Sequence, residues 1–226
     1  MASTLSQTTK AEEVKCVDGK AGIYSCKDID LIGRMALSDF ALDPALINDV
    51  WGYIDLNNNT EYAIVGLYNG VSVVNVSDAE NPVEVASIAG GNSIHRDVKV
   101  YQYFDEEAQR YKSYAYVSSD LPEGILILDL NDLPNSLTAV GNFLNGGSAH
   151  NVYISNVDFS SGMALDGVDA YLHLPISPTR TQDADVGFDI SSLTDPTAPE
   201  FITGASQTEG HDIVSFTITD DRTAQC

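Results

Sequence analysis

Apolar residues in this chain come in short runs with a period of two, bounded by Gly, Asn, Asp and Pro. That pattern predicts β-strands joined by tight turns. No window sustains a 3.6-residue period beyond about ten residues, so no long helix is expected. The best helix candidate is Asp43 to Asp49, and it is brief.

The strand-like runs repeat as ordered units. Four openings read Asn48-Asp49-Val50-Trp51-Gly52-Tyr53, His95-Arg96-Asp97-Val98-Lys99-Val100-Tyr101, His150-Asn151-Val152-Tyr153-Ile154 and His211-Asp212-Ile213-Val214-Ser215-Phe216. With the Asp or Asn as marker, at 49, 97, 151 and 212, the intervals are 48, 54 and 61 residues. A second run is rich in Tyr and Ala: Glu61 to Gly66, Ser113 to Ser118 and Ala170 to Leu174. A third ends on Asp or Asn among aliphatics: Gly70 to Ser77, Gly124 to Asn131 and Val186 to Ser191. Pro-bearing turns follow at Asn81-Pro82, Leu133-Pro134 and Asp195-Pro196, and a fourth run closes the unit, as in Pro82 to Ile88 and Glu200 to Thr203.

Pro82 and Pro196 have no N–H for a ladder, so they belong in turns before an outer strand. These intervals are close to the 40 to 50 residues of a β-propeller blade plus loop insertions, and four strands per unit are a blade's make-up. The expected fold is therefore all-β: a propeller of four-stranded antiparallel blades in a partial ring, with about three complete blades and the start of a fourth. The expected division is an N-terminal lead-in segment at 1–47 and propeller blades at 48–226, namely 48–94, 95–149, 150–209 and an incomplete 210–226. A single blade exposes two apolar faces, so the remaining blades, or another copy of the chain, are expected to complete the ring. Tyr62, Ile64, Val73, Tyr114, Tyr116, Ile125, Ile127, Phe188 and Ile190 are expected to pack between blades.

Charge narrows the partners. The chain has 226 residues, 33 of them acidic and 11 basic, for a formal charge of −22. Such a chain repels phosphate backbones, which argues against nucleic acid. No run approaches the roughly 18 apolar residues that span a bilayer. An acidic surface suits divalent cations, basic partners or simple solubility.

Three cysteines are present. Cys16 and Cys26 bracket a Gly-containing segment and suggest a small disulfide loop, whereas zinc binding there lacks a second ligand pair. Cys226 has no evident partner in the sequence. Met1 to Val14 is polar and lacks the apolar core of a signal peptide. The cysteine pair and the sequons Asn58-Asn59-Thr60 and Asn75-Val76-Ser77 point instead to an extracellular or cell-surface location, after removal or replacement of a leader.

At Val73 to Pro82, the sequence Val-Val-Asn-Val-Ser-Asp-x-x-Asn-Pro resembles the LVIVD repeat of bacterial and archaeal surface proteins. With Cys16 to Leu31, Asn48 to Gly52, Glu61 to Gly66, Arg96 to Tyr101, Asp129 to Leu133, Ala149 to Asn151 and Gly210 to Asp212, the chain is similar to the choice-of-anchor B family over roughly residues 16 to 216. The resemblance implies an exported surface propeller and no particular chemistry. Its implied role is a binding, interaction or structural scaffold with a protein or glycan ligand. The chain departs from the family pattern after His211, where further blades are usual.

The one constellation that can carry chemistry is His95, Asp97, His150, Asn151, His211 and Asp212. Three of the four histidines occupy equivalent places at the start of consecutive units. Innermost strands bring equivalent residues to one mouth of the central channel, where imidazoles and carboxylates can hold a metal and, with an open position, activate water. In the alternative, each residue caps a strand start and bonds backbone of the next blade. Divergence of inner strands around a wide ring favours this alternative, with imidazoles well over about 10 Å apart, several times a metal–nitrogen bond. No catalytic set is identifiable, because neither a Gly-x-Ser-x-Gly elbow nor a phosphate-cradling loop is present. His173 reads as a packed or hydrogen-bonded residue. Asp55 to Glu61 lacks the Gly and distal Glu of a calcium loop and reads as a hairpin turn. Asp183-Ala184-Asp185 and Asn145-Gly146-Gly147-Ser148 read as loops. No cofactor is fixed by these residues, and a divalent cation such as calcium is compatible with them.

Overall fold

The computed structural model describes residues 13–143, 148–176, 187–205 and 211–216. Cys226, the Asp183-Ala184-Asp185 loop and Asn145 to Gly147 lie outside the described residues. Among those described there is no α-helix, only a 3-10 turn at Leu37–Asp39. Asp43 to Asp49, expected as a helix, instead leads into the first long strand. A helix of two turns is marginal on its own, and here Ile47 pairs with Leu67 across a sheet.

A two-stranded hairpin, β1 (Lys20–Ala21) and β2 (Tyr24–Ser25), comes first. The Cys16–Cys26 disulfide closes its base. Three four-stranded antiparallel sheets follow, each a simple meander. The first holds β3 (Ile47–Asp55), β4 (Thr60–Leu67), β5 (Gly70–Asn75) and β6 (Val83–Ala89). The second holds β7 (Val98–Asp105), β8 (Arg110–Val117), β9 (Ile125–Asp129) and β10 (Thr138–Phe143). The third holds β11 (Tyr153–Ser155), β12 (Tyr171–Ile176), β13 (Gly187–Ser192) and β14 (Glu200–Ala205).

The sheets repeat in detail. Each has a register shift between its third and fourth strands, at Val73/Val74, Ala139/Gly141 and Ile190/Ser191. Pro82 and Pro196 precede the outer strands, as their missing N–H requires. Asp55 turns the β3–β4 hairpin: its carboxylate accepts from the Asn57 N–H and from the Asn57 and Asn58 amides at 2.8–2.9 Å.

Packing follows from alternation on strands buried on both faces. On β8, Tyr114 and Tyr116 face the third sheet, while Ala115 and Val117 face the first. One core joins Tyr62, Ile64, Val71 and Val73 to Val98, Val100, Ala115 and Leu128. The next joins Tyr116, Ile125 and Ile127 to Ile154, Leu172 and Leu174. Tyrosine hydroxyls cross between sheets within these cores. The Tyr53 hydroxyl lies 2.8 Å from Ser113 Oγ, and the Tyr116 hydroxyl donates to the Pro196 carbonyl at 2.8 Å.

The outer face of the first sheet is covered from the N-terminal side, where Phe40, with Met35 and Leu42, packs on Val65, Leu67 and Val74. The opposite face of the third sheet has no described sheet against it. That corrects the expectation for Phe188, which is 37% exposed, and for Ile190, which is only half-buried. The other seven expected core residues are buried.

Candidate functional site

The first strands of successive sheets lie side by side, β3 against β7 and β7 against β11. Segments entering β7 and β11 therefore meet at one end of the assembly. His95 and His150 sit in these segments, ahead of the strands and not on them. His211 to Phe216 forms no strand in the described residues, contrary to expectation, yet it runs beside the start of the third sheet. The Ile213 N–H donates to Asn151 Oδ1 at 3.0 Å.

The Asp and Asn of the repeat do cap and link. Asp97 Oδ2 accepts the Val152 N–H at 2.9 Å and the Asn151 side-chain amide at 2.7 Å. Asn151 then repeats the bond one unit on, to Ile213. In each case the side chain holds the backbone N–H just after the equivalent position of the next unit. Asp97 also holds Lys99, whose ammonium lies 2.5 Å from Oδ1 and 4.2 Å from the centre of the Trp51 ring. Burial pushes the Asp97 carboxyl up to about 6, helped by a hydrogen bond with the Asp49 carboxyl and opposed by Lys99.

The histidines do something else. The rings of His95 and His150 are 4.4 Å apart between centroids, and those of His150 and His211 are 4.2 Å apart. The expected wide separation does not occur. These side chains sit before the strands, in connections that meet at one end of the sheets. Nitrogen atoms of His95 and His150 and a carboxylate oxygen of Asp120 all lie within 4.8 Å of one another, and so do ligand atoms of His150, His211 and Asp212. His150 is common to both sets.

Asp120 was not among the residues singled out from sequence. It lies in the β8–β9 loop, where its carboxylate meets Nδ1 of His95 at 2.5 Å and Nδ1 of His150 at 3.0 Å. Residues just before it pin that loop. Ser118 Oγ accepts the Asp97 N–H at 3.0 Å and donates to the His150 carbonyl at 3.2 Å, and the Ser119 carbonyl accepts the Ala149 N–H at 3.2 Å. The one sequence signal was length: residues 118–124 join β8 to β9, whereas only 68–69 join β4 to β5.

His150 is the most sheltered of the three imidazoles, its side chain 27% exposed against 48% for His95 and 76% for His211. His211 Nδ1 lies 2.9 Å from Asp212 Oδ2. The fourth histidine is apart from the cluster: His173 Nε2 lies 2.8 Å from Ser155 Oγ, and burial pushes its pKa down. An open cleft of about 920 Å³ includes His95, His150 and Asp212 in its lining, together with Asp97, Lys99 and Trp51.

Either set, two imidazoles and a carboxylate, can hold a divalent transition metal, for which nitrogen ligands are preferred over the all-oxygen shell of calcium. A carboxylate on Nδ1 also fixes an imidazole's tautomer and turns its Nε2 outwards, as is usual beside bound metals. No protein-family model matches the chain, and no curated protein gives a significant match.

Proposed function

We propose that this chain is part of an exported, surface β-propeller of the choice-of-anchor B, LVIVD-repeat kind. It acts as a binding module whose centre is a divalent transition metal at the channel mouth. Three four-stranded sheets with adjacent first strands support the propeller reading. The cysteine pair and the two sequons support export, since disulfides persist in oxidising compartments. Among the described residues no helix is long and apolar enough to cross a membrane.

The observation that carries the metal is the convergence of His95, His150 and His211, with Asp120 and Asp212 beside them. His150 is the pivot. Isothermal titration of the purified, metal-stripped chain with zinc is expected to give saturable uptake, and His150→Ala to weaken it at least about 100-fold. No uptake, or uptake indifferent to His150, overturns the metal reading.

A metal-dependent enzyme is the second reading. It draws on the same cluster, because a set of two imidazoles and one carboxylate leaves a fourth zinc position for water. Zinc-dependent hydrolysis of p-nitrophenyl acetate that is lost in His150→Ala supports it, and equal rates in the two proteins reject it.

A further inference from the structure

The histidines occupy only part of their cleft. Beside them the wall is apolar and open to solvent: Val50 is 54% exposed, Ile94 59% and Phe159 70%. Phe159 stands edge-on to Trp51, ring centroids 5.6 Å apart. These residues come from β3, the β6–β7 connection and the β11–β12 connection, so three separate parts of the chain bring apolar side chains to one hollow. Single exposed apolar residues need no explanation. A concave apolar wall beside convergent polar groups is the usual form of a small-molecule site, and about 920 Å³ is within the range of such sites.

Charge selects the ligand. Asp49, Asp97 and Asp212 line the cleft, and Asp120 bridges two of its histidines. The two cations of the lining are committed: Lys99 to Asp97, and Arg96 to Glu123 at 2.9 Å. An anion would meet carboxylates and no uncommitted cation in this lining. A cation or a neutral nitrogen base meets the opposite field, and the exposed Phe159 ring attracts cations as well, whereas Lys99 already covers one face of Trp51.

We propose that the cleft takes an aromatic nitrogen base, an azole or aromatic amine. Its ring lies against Trp51, Ile94 and Phe159, and its nitrogen is directed to the metal on the histidines. The proposal rests on the metal reading for that last contact. Trp51 is the chain's only tryptophan, so intrinsic fluorescence reports on the cleft directly.

The probes are 4-phenylimidazole, imidazole, phenylacetate and benzyltrimethylammonium, titrated into the zinc-loaded and the metal-free chain. On the zinc-loaded chain, 4-phenylimidazole is expected to quench Trp51 saturably, with a Kd about ten-fold or more below that of imidazole, and phenylacetate not to saturate. Phe159→Ala is expected to raise the Kd about five-fold or more. Phe159 is largely exposed, so this variant keeps the fold, and Ile94→Ser provides a second one. Phenylacetate binding as tightly as 4-phenylimidazole overturns the proposal, as does indifference to both substitutions. Benzyltrimethylammonium has no lone pair for a metal and separates the two claims. If zinc uptake fails but this cation quenches saturably and loses affinity in Phe159→Ala, the metal reading falls and the aromatic-cation cleft stands. Quenching by neither 4-phenylimidazole nor benzyltrimethylammonium overturns the cleft, whatever the zinc result.

Discussion

Replacing Asp97 by Ala isolates the link between the second and third sheets. The carboxylate and the Lys99 ammonium form a buried pair, with side chains 13% and 9% exposed. Removing one partner of such a pair costs about 3–5 kcal/mol, because the other charge stays buried. The Val152 N–H also loses its acceptor, in a residue with no exposed surface, and the Asn151 amide loses another. Each orphaned donor costs about 1–3 kcal/mol. Against this, the substitution removes a carboxylate whose raised pKa reports its own burial penalty, about 2–3 kcal/mol. Together these terms give an expected net loss of about 5 kcal/mol, within a range of roughly 2–9. Asp97→Asn keeps an acceptor for Val152 but not the charge, and should lose about half as much. Urea unfolding followed by Trp51 fluorescence measures both, with the slope checked for constancy. A loss under about 1 kcal/mol in Asp97→Ala, at unchanged slope, would refute the account of this link.

The same carboxyl sets a pH dependence. Its folded pKa, about 6, lies above the ordinary 3.8, so its contribution is complete below about pH 4 and is lost as pH rises through 6. The stability of wild type relative to Asp97→Asn should therefore fall between pH 4 and pH 7 in urea titrations, and a rise contradicts the assignment. In the cores, Ile127→Ala should cost about 2–5 kcal/mol while Phe188→Ala stays within about 1 kcal/mol, both read by thermal unfolding. Reversed magnitudes would mean that the sheet faces are wrongly assigned. Cys16 and Cys26 should appear bridged by mass spectrometry of the protein prepared under oxidising conditions. Opening so short a loop should cost about 3 kcal/mol, and free thiols would remove the bridge.

Much of the sheet architecture is readable from alternation and turn residues. Tyr114, Ala115, Tyr116 and Val117 alternate because both faces of β8 are covered. Asp97 and Asn151 mark unit starts because their side chains hold the next unit's backbone. Asp43 to Asp49 misled because a short apolar run does not distinguish helix from strand, and pairing of Ile47 with Leu67 decides it. Phe188 misled because periodicity gives a residue's face and not what covers that face. At the site, the histidines were visible as a repeat, but their distances depend on how connections pack, which spacing does not encode. Asp120 has no equivalent in the first unit, where residues 68–69 are the whole β4–β5 turn, so no repeat could reveal it.

The central claim is that imidazoles from consecutive units share one metal through His150, and copper tests it by counting them. One equivalent of Cu²⁺ added to the metal-stripped chain should give a single species by electron paramagnetic resonance. Its superhyperfine splitting should show two nitrogens, falling to one in His150→Ala. Weakly bound copper with oxygen-only coordination, or a spectrum unchanged by His150→Ala and His211→Ala, would contradict it.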